Sequence, residues 1–138
     1  MILVVDTGPL VAAFNKKDRA HEVCTELLTT TSAQLVVPAP VLTEVCYLIE
    51  TRNGTRAEAA FLTELARGTM TLEPTTRSDL ARMAELVTQY DDLPRGGVDA
   101  SVIAIAERLN AADIATLDRR HFFVVRPRHM QAFTLHPN

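Results

Sequence analysis

The sequence predicts an α/β protein, a three-layer α/β/α sandwich on a short central parallel sheet. Two observations carry this. Short, largely apolar runs recur at Ile2–Val5, Leu35–Val37 and Ile114–Leu117, and their apolar residues run on without strict alternation, as in strands covered on both faces. Between them lie longer stretches with helical spacing, and strands that alternate with helices pair in parallel. A chain of 138 residues with 47% hydrophobic content is long enough for one core, so residues 1–138 are expected to form a single domain.

Taken in order, Ile2–Val5 is the first strand, and Pro9 sits in the first turn of a helix reaching about Asn15, where its missing N–H costs nothing. Ala20–Thr30 has helical periodicity. Leu35–Val37 is a second strand, closed by Pro38, and Pro40 opens a helix that stops at Asn53-Gly54. Arg56–Arg67 is helical up to Gly68, and Met70–Leu72 is a strand. A helix starts at Thr76 or Ser78 and runs through Tyr90. Residues 91–97 form a loop, Val98–Leu109 a helix, Ile114–Leu117 a strand, and Phe122–Val125 a late strand before Pro127.

Composition excludes several classes. No apolar run approaches the roughly 18 residues of a membrane span, and the N-terminus has neither the basic start nor the apolar length of a signal peptide. Cys24 and Cys46 each lie among apolar residues and are expected to be reduced thiols, which places the protein in the cytoplasm. Net charge is −3, but it is unevenly spread. Residues 119–138 hold four arginines, three histidines and no acid, a segment of +4 that leaves −7 on the rest.

Parallel topology brings four distant acids together. Ligands of open α/β sheets bind in the crevice beyond the carboxyl ends of the strands. Asp6 follows the first strand and Asp118 the Ile114–Leu117 strand. Glu44 lies early in the helix leaving Leu35–Val37, and Asp99 lies in the first turn of a helix that returns the chain from that edge. Each acid also has a purely structural reading: Asp6 and Asp99 as helix caps, Asp118 as a turn residue. Glu44 fits one least well, because Val41, Val45 and Leu48 make its surroundings apolar. Two carboxylates about 4 Å apart repel by roughly 4 kcal/mol at an effective dielectric near 20, so a cluster of four calls for protonation or a cation. No histidine or cysteine has zinc spacing, and an all-oxygen donor set suits Mg²⁺ or Mn²⁺.

The segments VVDTGPLVAAF, VLTEVCYLI, VDASVIAIAERLN and IATLDRRHF, in this order and spacing and each with its acid, together with the closing VVRPRHMQAF, resemble the PIN domain. Within that family the likeness is to the toxin ribonucleases of VapBC-type toxin–antitoxin pairs. The resemblance spans essentially the whole chain. It implies a metal-dependent endoribonuclease, inhibited by a cognate VapB-type antitoxin and paired as a homodimer. It also implies that Asp6, Glu44, Asp99 and Asp118 bind the metal, with Thr7 supplying a hydroxyl near the site and Thr116 a second candidate. Where many relatives carry a second acid shortly after the Asp118 position, this chain has Arg120 and His121.

Hydrolysis of a phosphodiester needs an activated water and a stabilised leaving oxygen, which two metal ions can supply. On the residues alone, Asp6 and Asp99 are the main ligands, Glu44 is a ligand or the group that orients water, and Asp118 is a ligand or its support. No G-x-S-x-G, P-loop or dinucleotide fingerprint competes. A non-catalytic RNA-binding or interaction module is the alternative, and it predicts missing acids. An acidic pocket repels RNA, so Arg119, Arg120 and Arg128 of the basic segment are expected to guide the RNA backbone. Phe61, Leu62 and Leu65 offer a dimer face, with core packing the competing role.

Overall fold

The computed structural model describes residues 1–138. Five parallel strands form one sheet in the order β3-β2-β1-β4-β5: β1 is Ile2–Val5, β2 Gln34–Pro38, β3 Thr71–Glu73, β4 Asp113–Ala115 and β5 Thr134–His136. Leu3, Val4 and Val5 are all buried, as are Leu35, Val36 and Val37, so helices cover both faces, as the unbroken apolar runs require. β1 is central. Its register sets Leu3 opposite both Leu35 and Asp113, and Val4 opposite Val36 and Ile114. Moving outward from β1 in both directions creates a switch point between β1 and β4 at their carboxyl ends.

The helices begin and end for local reasons. α1 (Thr7–Ala13) starts two residues before Pro9, which falls in the first turn, where its absent N–H is one of the unpaired donors anyway. After α2 (His21–Thr30), α3 (Ala39–Asn53) buries Val41, Val45 and Ile49 at four-residue spacing and ends at Gly54, whose φ of 87° suits glycine. α4 (Thr55–Ala66) buries Phe61 fully and packs Leu65 against the core, while Leu62 stays exposed. Two of the three apolar residues considered for a dimer face therefore serve the core. α5 (Arg77–Gln89) starts in a capping box in which Thr76 Oγ1 accepts the Asp79 N–H and Asp79 accepts the Thr76 N–H. α6 (Gly97–Arg108) is buried continuously from Asp99 to Ala106 and packs on β1, β2, α3 and α5.

The C-terminal region departs from the sequence expectation. Phe122–Val125 is not a strand. Arg119–Phe123 forms the short helix α7, because the Asp118 carboxylate accepts the His121 N–H and caps its first turn. The last strand is Thr134–His136, beyond the VVRPRHMQAF segment, with Phe133 and Leu135 buried and Thr134 exposed between them. That alternation was visible in the sequence. No helix is long and apolar enough to cross a membrane, and Cys24 and Cys46 are both free thiols.

Arginines lock α6 in place. At its end, Arg108 donates to Asp79 (3.0 Å from Nε to Oδ1), to Glu73 and to the Pro74 carbonyl. The preceding residue, Glu107, takes two hydrogen bonds from Arg82 of α5. Burial pushes the Asp79 carboxyl upward, but the bonds from Arg108 and Thr76 outweigh it and hold the group below its ordinary 3.8. Such a group adds stability that is present above pH ~4 and lost as pH falls through its folded-state value. Asp79→Ala should therefore cost about 2 kcal/mol or more near neutrality, read from urea midpoints. The gap to wild type should narrow below pH ~4, and a gap that does not change with pH would contradict this account.

Candidate active site

The site lies at the switch point. Asp6 continues the ladder one step past β1, its N–H donating to the Ala115 carbonyl at 2.9 Å. It occupies the N-cap position of α1, yet its carboxylate caps nothing. Oδ2 accepts from Thr116 Oγ1 at 2.8 Å, and Oδ1 is buried without a hydrogen-bond partner. With 1% of the residue exposed, that arrangement is costly for a structural residue. Thr116, just past β4, also accepts the Asp118 N–H at 3.0 Å, so one buried hydroxyl orients the acids that follow two neighbouring strands.

Asp99 is the third residue of α6 and is as deeply buried as Asp6. The N-cap is Gly96, at a φ of +47° that favours glycine. This turn aims the Arg95 N–H at Asp99 Oδ2, 3.1 Å away, so the cap-like reading of Asp99 describes one of its oxygens. Burial, and then the charge of Asp6, raise its pKa from an ordinary 3.8 to about 6, against the opposing pull of Arg95. Burial also raises Asp6, opposed by the nearby Thr7 backbone N–H, by the hydrogen bond from Thr116 and by the charge of Arg95. Asp118 has a structural share. It caps α7, and its Oδ1 also lies 2.8 Å from Nδ1 of His121. Glu44, on α3, faces Arg95, with Nε 2.6 Å from Oε1. The contact is an ion pair, and Oε1 is buried without a hydrogen-bond partner.

A cleft of about 580 Å³ opens here, lined among others by Asp6, Asp118, Arg95, Arg52 and His121. A second cavity of about 510 Å³, lined by Phe14, Leu28, Leu35 and Met70, has Glu64 as its single charged group and no comparable chemistry. As they stand, no three of the acids are close enough to form a finished ligand cluster. The donor set nonetheless fits a hard divalent cation. It is all oxygen, two of its oxygens are buried without hydrogen bonds, and after burial the charge of Asp6 helps raise the Asp99 pKa.

The other residues singled out in the sequence are placed as follows. Thr7 is fully buried beside Asp6, with its hydroxyl lacking a partner. Arg119 donates to the carbonyls of Leu135 and Pro137, tying α7 to β5. Arg120 is exposed, two residues after Asp118 in the chain. Arg128 lies away from the cleft, paired with Glu85 of α5 at 2.6 Å. Sequence reasoning passed over Arg95, whose signal was a lone basic residue four positions before Asp99. His121 was noted only as a substitute for an acid.

The comparisons with known proteins bear on the family and the fold. The PIN domain model matches residues 3–126. The chain is 36% identical over 135 residues to Ribonuclease VapC26 of Mycobacterium tuberculosis, covering 98% of this chain and 100% of the relative. Mycobacterium tuberculosis VapC20, a Sarcin-Ricin loop cleaving toxin, shares the fold at a TM-score of 0.79 and 22% identity, over 86% of this chain and 92% of that one. Rickettsia felis VapBC2, solved with a DNA fragment from its promoter, gives 0.69 at 19% identity over 98% of each chain.

An acid whose folded-state pKa is raised binds more protons in the native than in the unfolded chain. It therefore lowers stability as pH rises from about 4 to about 6, and the loss persists above that range. In EDTA, Asp99→Asn should flatten this decline and raise the melting temperature at pH 7.5 by about 3–5 °C, the effect of ~1 kcal/mol in a chain of this size. A mutant that melts below wild type would make Asp99 a structural cap.

Proposed function

This chain belongs to the PIN-domain family, among its VapC-type ribonucleases, and on that premise we propose that its acidic cleft hydrolyses RNA phosphodiester bonds with divalent metal. The protein then acts as the toxin of a VapBC-type pair. The observation that carries this reading is the buried Asp6 oxygen without a hydrogen bond, beside an Asp99 carboxyl whose pKa burial and the Asp6 charge push up to about 6. Such a pair has no use in a fold that needs only stability.

Asp6 and Asp99 would hold Mg²⁺ or Mn²⁺, with Glu44 and Asp118 completing the set. When bound, the metal supplies an activated water and neutralises charge that develops on the phosphate. The protein's own part is orientation. Thr116 fixes the Asp6 carboxylate, His121 fixes that of Asp118, and buried α6 holds Asp99. Thr7 puts a hydroxyl beside the site. Arg120, exposed and two residues after Asp118, contacts the RNA backbone. Arg119 and Arg128, expected from sequence to share that task, have guanidiniums engaged with the Leu135 and Pro137 carbonyls and with Glu85. By likeness to the Rickettsia felis pair the partner is a cognate VapB-type antitoxin, and a homodimer follows from the same family reading. We place the protein in the cytoplasm with its RNA substrate, in keeping with its free thiols.

Incubation with total cellular RNA and mapping of the new 5′ ends tests the activity. EDTA should abolish cleavage and Mg²⁺ or Mn²⁺ should restore it. Asp6→Asn should reduce cleavage by at least about 100-fold with an unchanged circular dichroism spectrum. Undiminished cleavage in EDTA would end the proposal. With an uncleavable RNA in Ca²⁺, Arg120→Ala should weaken binding and lower the salt slope by roughly 0.7, whereas Arg128→Ala should leave both as in wild type.

A further inference from the structure

Three arginines face buried or half-buried acids in this molecule, and they do so in different ways. Arg108 donates hydrogen bonds to Asp79, Glu73 and the Pro74 carbonyl. Arg82 donates two to Glu107. These pairs satisfy their acids and act as clamps. Arg95 contacts Glu44 at 2.6 Å, but its guanidinium donates no hydrogen bond, and the facing Glu44 Oε1 is left without one. Its backbone, by contrast, is held by Asp99 Oδ2. The chain thus anchors the start of this residue and leaves its charged end paired by charge alone.

We infer that Arg95 is an exchangeable counter-ion of the cleft: it neutralises Glu44 until a divalent ion takes that carboxylate, and its released guanidinium then binds an RNA phosphate at the cleft mouth. This rests on the metal-dependent reading above. Several observations favour it. The Arg95 side chain keeps about a third of its surface exposed (34%) and that of Glu44 22%, so the pair is weakly held and screened by solvent. Arg95 lines the same cleft as Asp6 and Asp118, and its charge opposes the upward shift of both Asp6 and Asp99. Arg95, even with Arg52 at the same cleft, does not balance Asp6, Glu44, Asp99 and Asp118, and a divalent ion balances them better but repels a guanidinium that shares Glu44. Release moves the arginine toward solvent, where an incoming phosphodiester presents the paired oxygens that a guanidinium fork recognises.

The test follows the two ligands separately in the full-length protein. Arg95→Gln removes the charge and Arg95→Lys keeps it. Calorimetric titration with Mn²⁺ should show Arg95→Gln binding about three- to tenfold tighter than wild type, as expected when one screened charge beside a divalent ion is removed. Arg95→Lys should stay within about twofold of wild type. In EDTA, Arg95→Gln should melt below wild type, and added Mn²⁺ should close the gap. With an uncleavable RNA in Ca²⁺ the order reverses: Arg95→Gln should bind more weakly, with a salt slope lower by roughly 0.7. A generally damaged fold would weaken both ligands, whereas this exchange tightens one and weakens the other. Mn²⁺ affinity that Arg95→Gln leaves unchanged or lowers overturns the exchange while the ribonuclease reading stands. An RNA slope equal to wild type overturns the phosphate contact. Wild-type protein that binds no Mn²⁺ overturns the metal-dependent reading itself, and the exchange with it.

Discussion

Burial of the Asp6 carboxylate is the constraint around which the carboxyl edge of the sheet is arranged. Asp6 leaves the central strand at its last paired position, receives one hydrogen bond, from Thr116, and keeps a second oxygen bare in the interior. A fold selected only for stability would replace such a group, because an incompletely paired buried acid is a net cost against a total stability of roughly 5–15 kcal/mol. Here the neighbourhood multiplies the cost. Asp99 lies close enough for the charge of Asp6 to push its own carboxyl upward. Repulsion between the two is the energy that a cation would release on the proposed reading of the site.

The rest of the molecule keeps that repulsion from being relieved by movement. α6 is buried on every side from Asp99 to Ala106, so Asp99 cannot rotate away without opening the core. Arg108 and Arg82 fasten the far end of the helix to α5, the segment before it and β3. Thr116 ties Asp6 to the backbone of Asp118, and Asp118 is occupied in turn with α7 and His121. The acids are thus carried on strand ends and helix starts that cannot drift apart, which is the preorganisation a phosphoryl-hydrolysing site needs.

Charge outside the site is distributed less simply than composition implied. The acid-free segment after Asp118 looked like a surface for a polyanion, yet two of its four arginines already face partners in the chain: Arg119 holds the backbone near β5 and Arg128 makes a surface pair with Glu85 of α5. The positive charge nearest the acids comes instead from Arg95, in the turn before α6. A count of charges along a sequence cannot separate an arginine that stitches the fold from one that meets a ligand, because both tasks use the same side chain and differ only in what stands opposite it.

Much of this protein was legible in its residues. Apolar runs without strict alternation required a parallel sheet covered on both faces, and parallel topology then brings Asp6, Glu44, Asp99 and Asp118 toward one edge whatever the details of packing. These are local and topological properties, carried by hydrophobic pattern and by turn chemistry such as the glycine after α3. Tertiary structure decided what depends on partners far away in the chain. It made Phe122 part of a helix, because Asp118 caps that turn, and it paired Thr134–His136 with β4 as the last strand. It left Asp6 uncapping and half unpaired, shared Asp118 between a helix cap and the site, and drew Arg95 into the ring of acids. Burial and the identity of the facing group set these outcomes, and neither exists until the chain has folded.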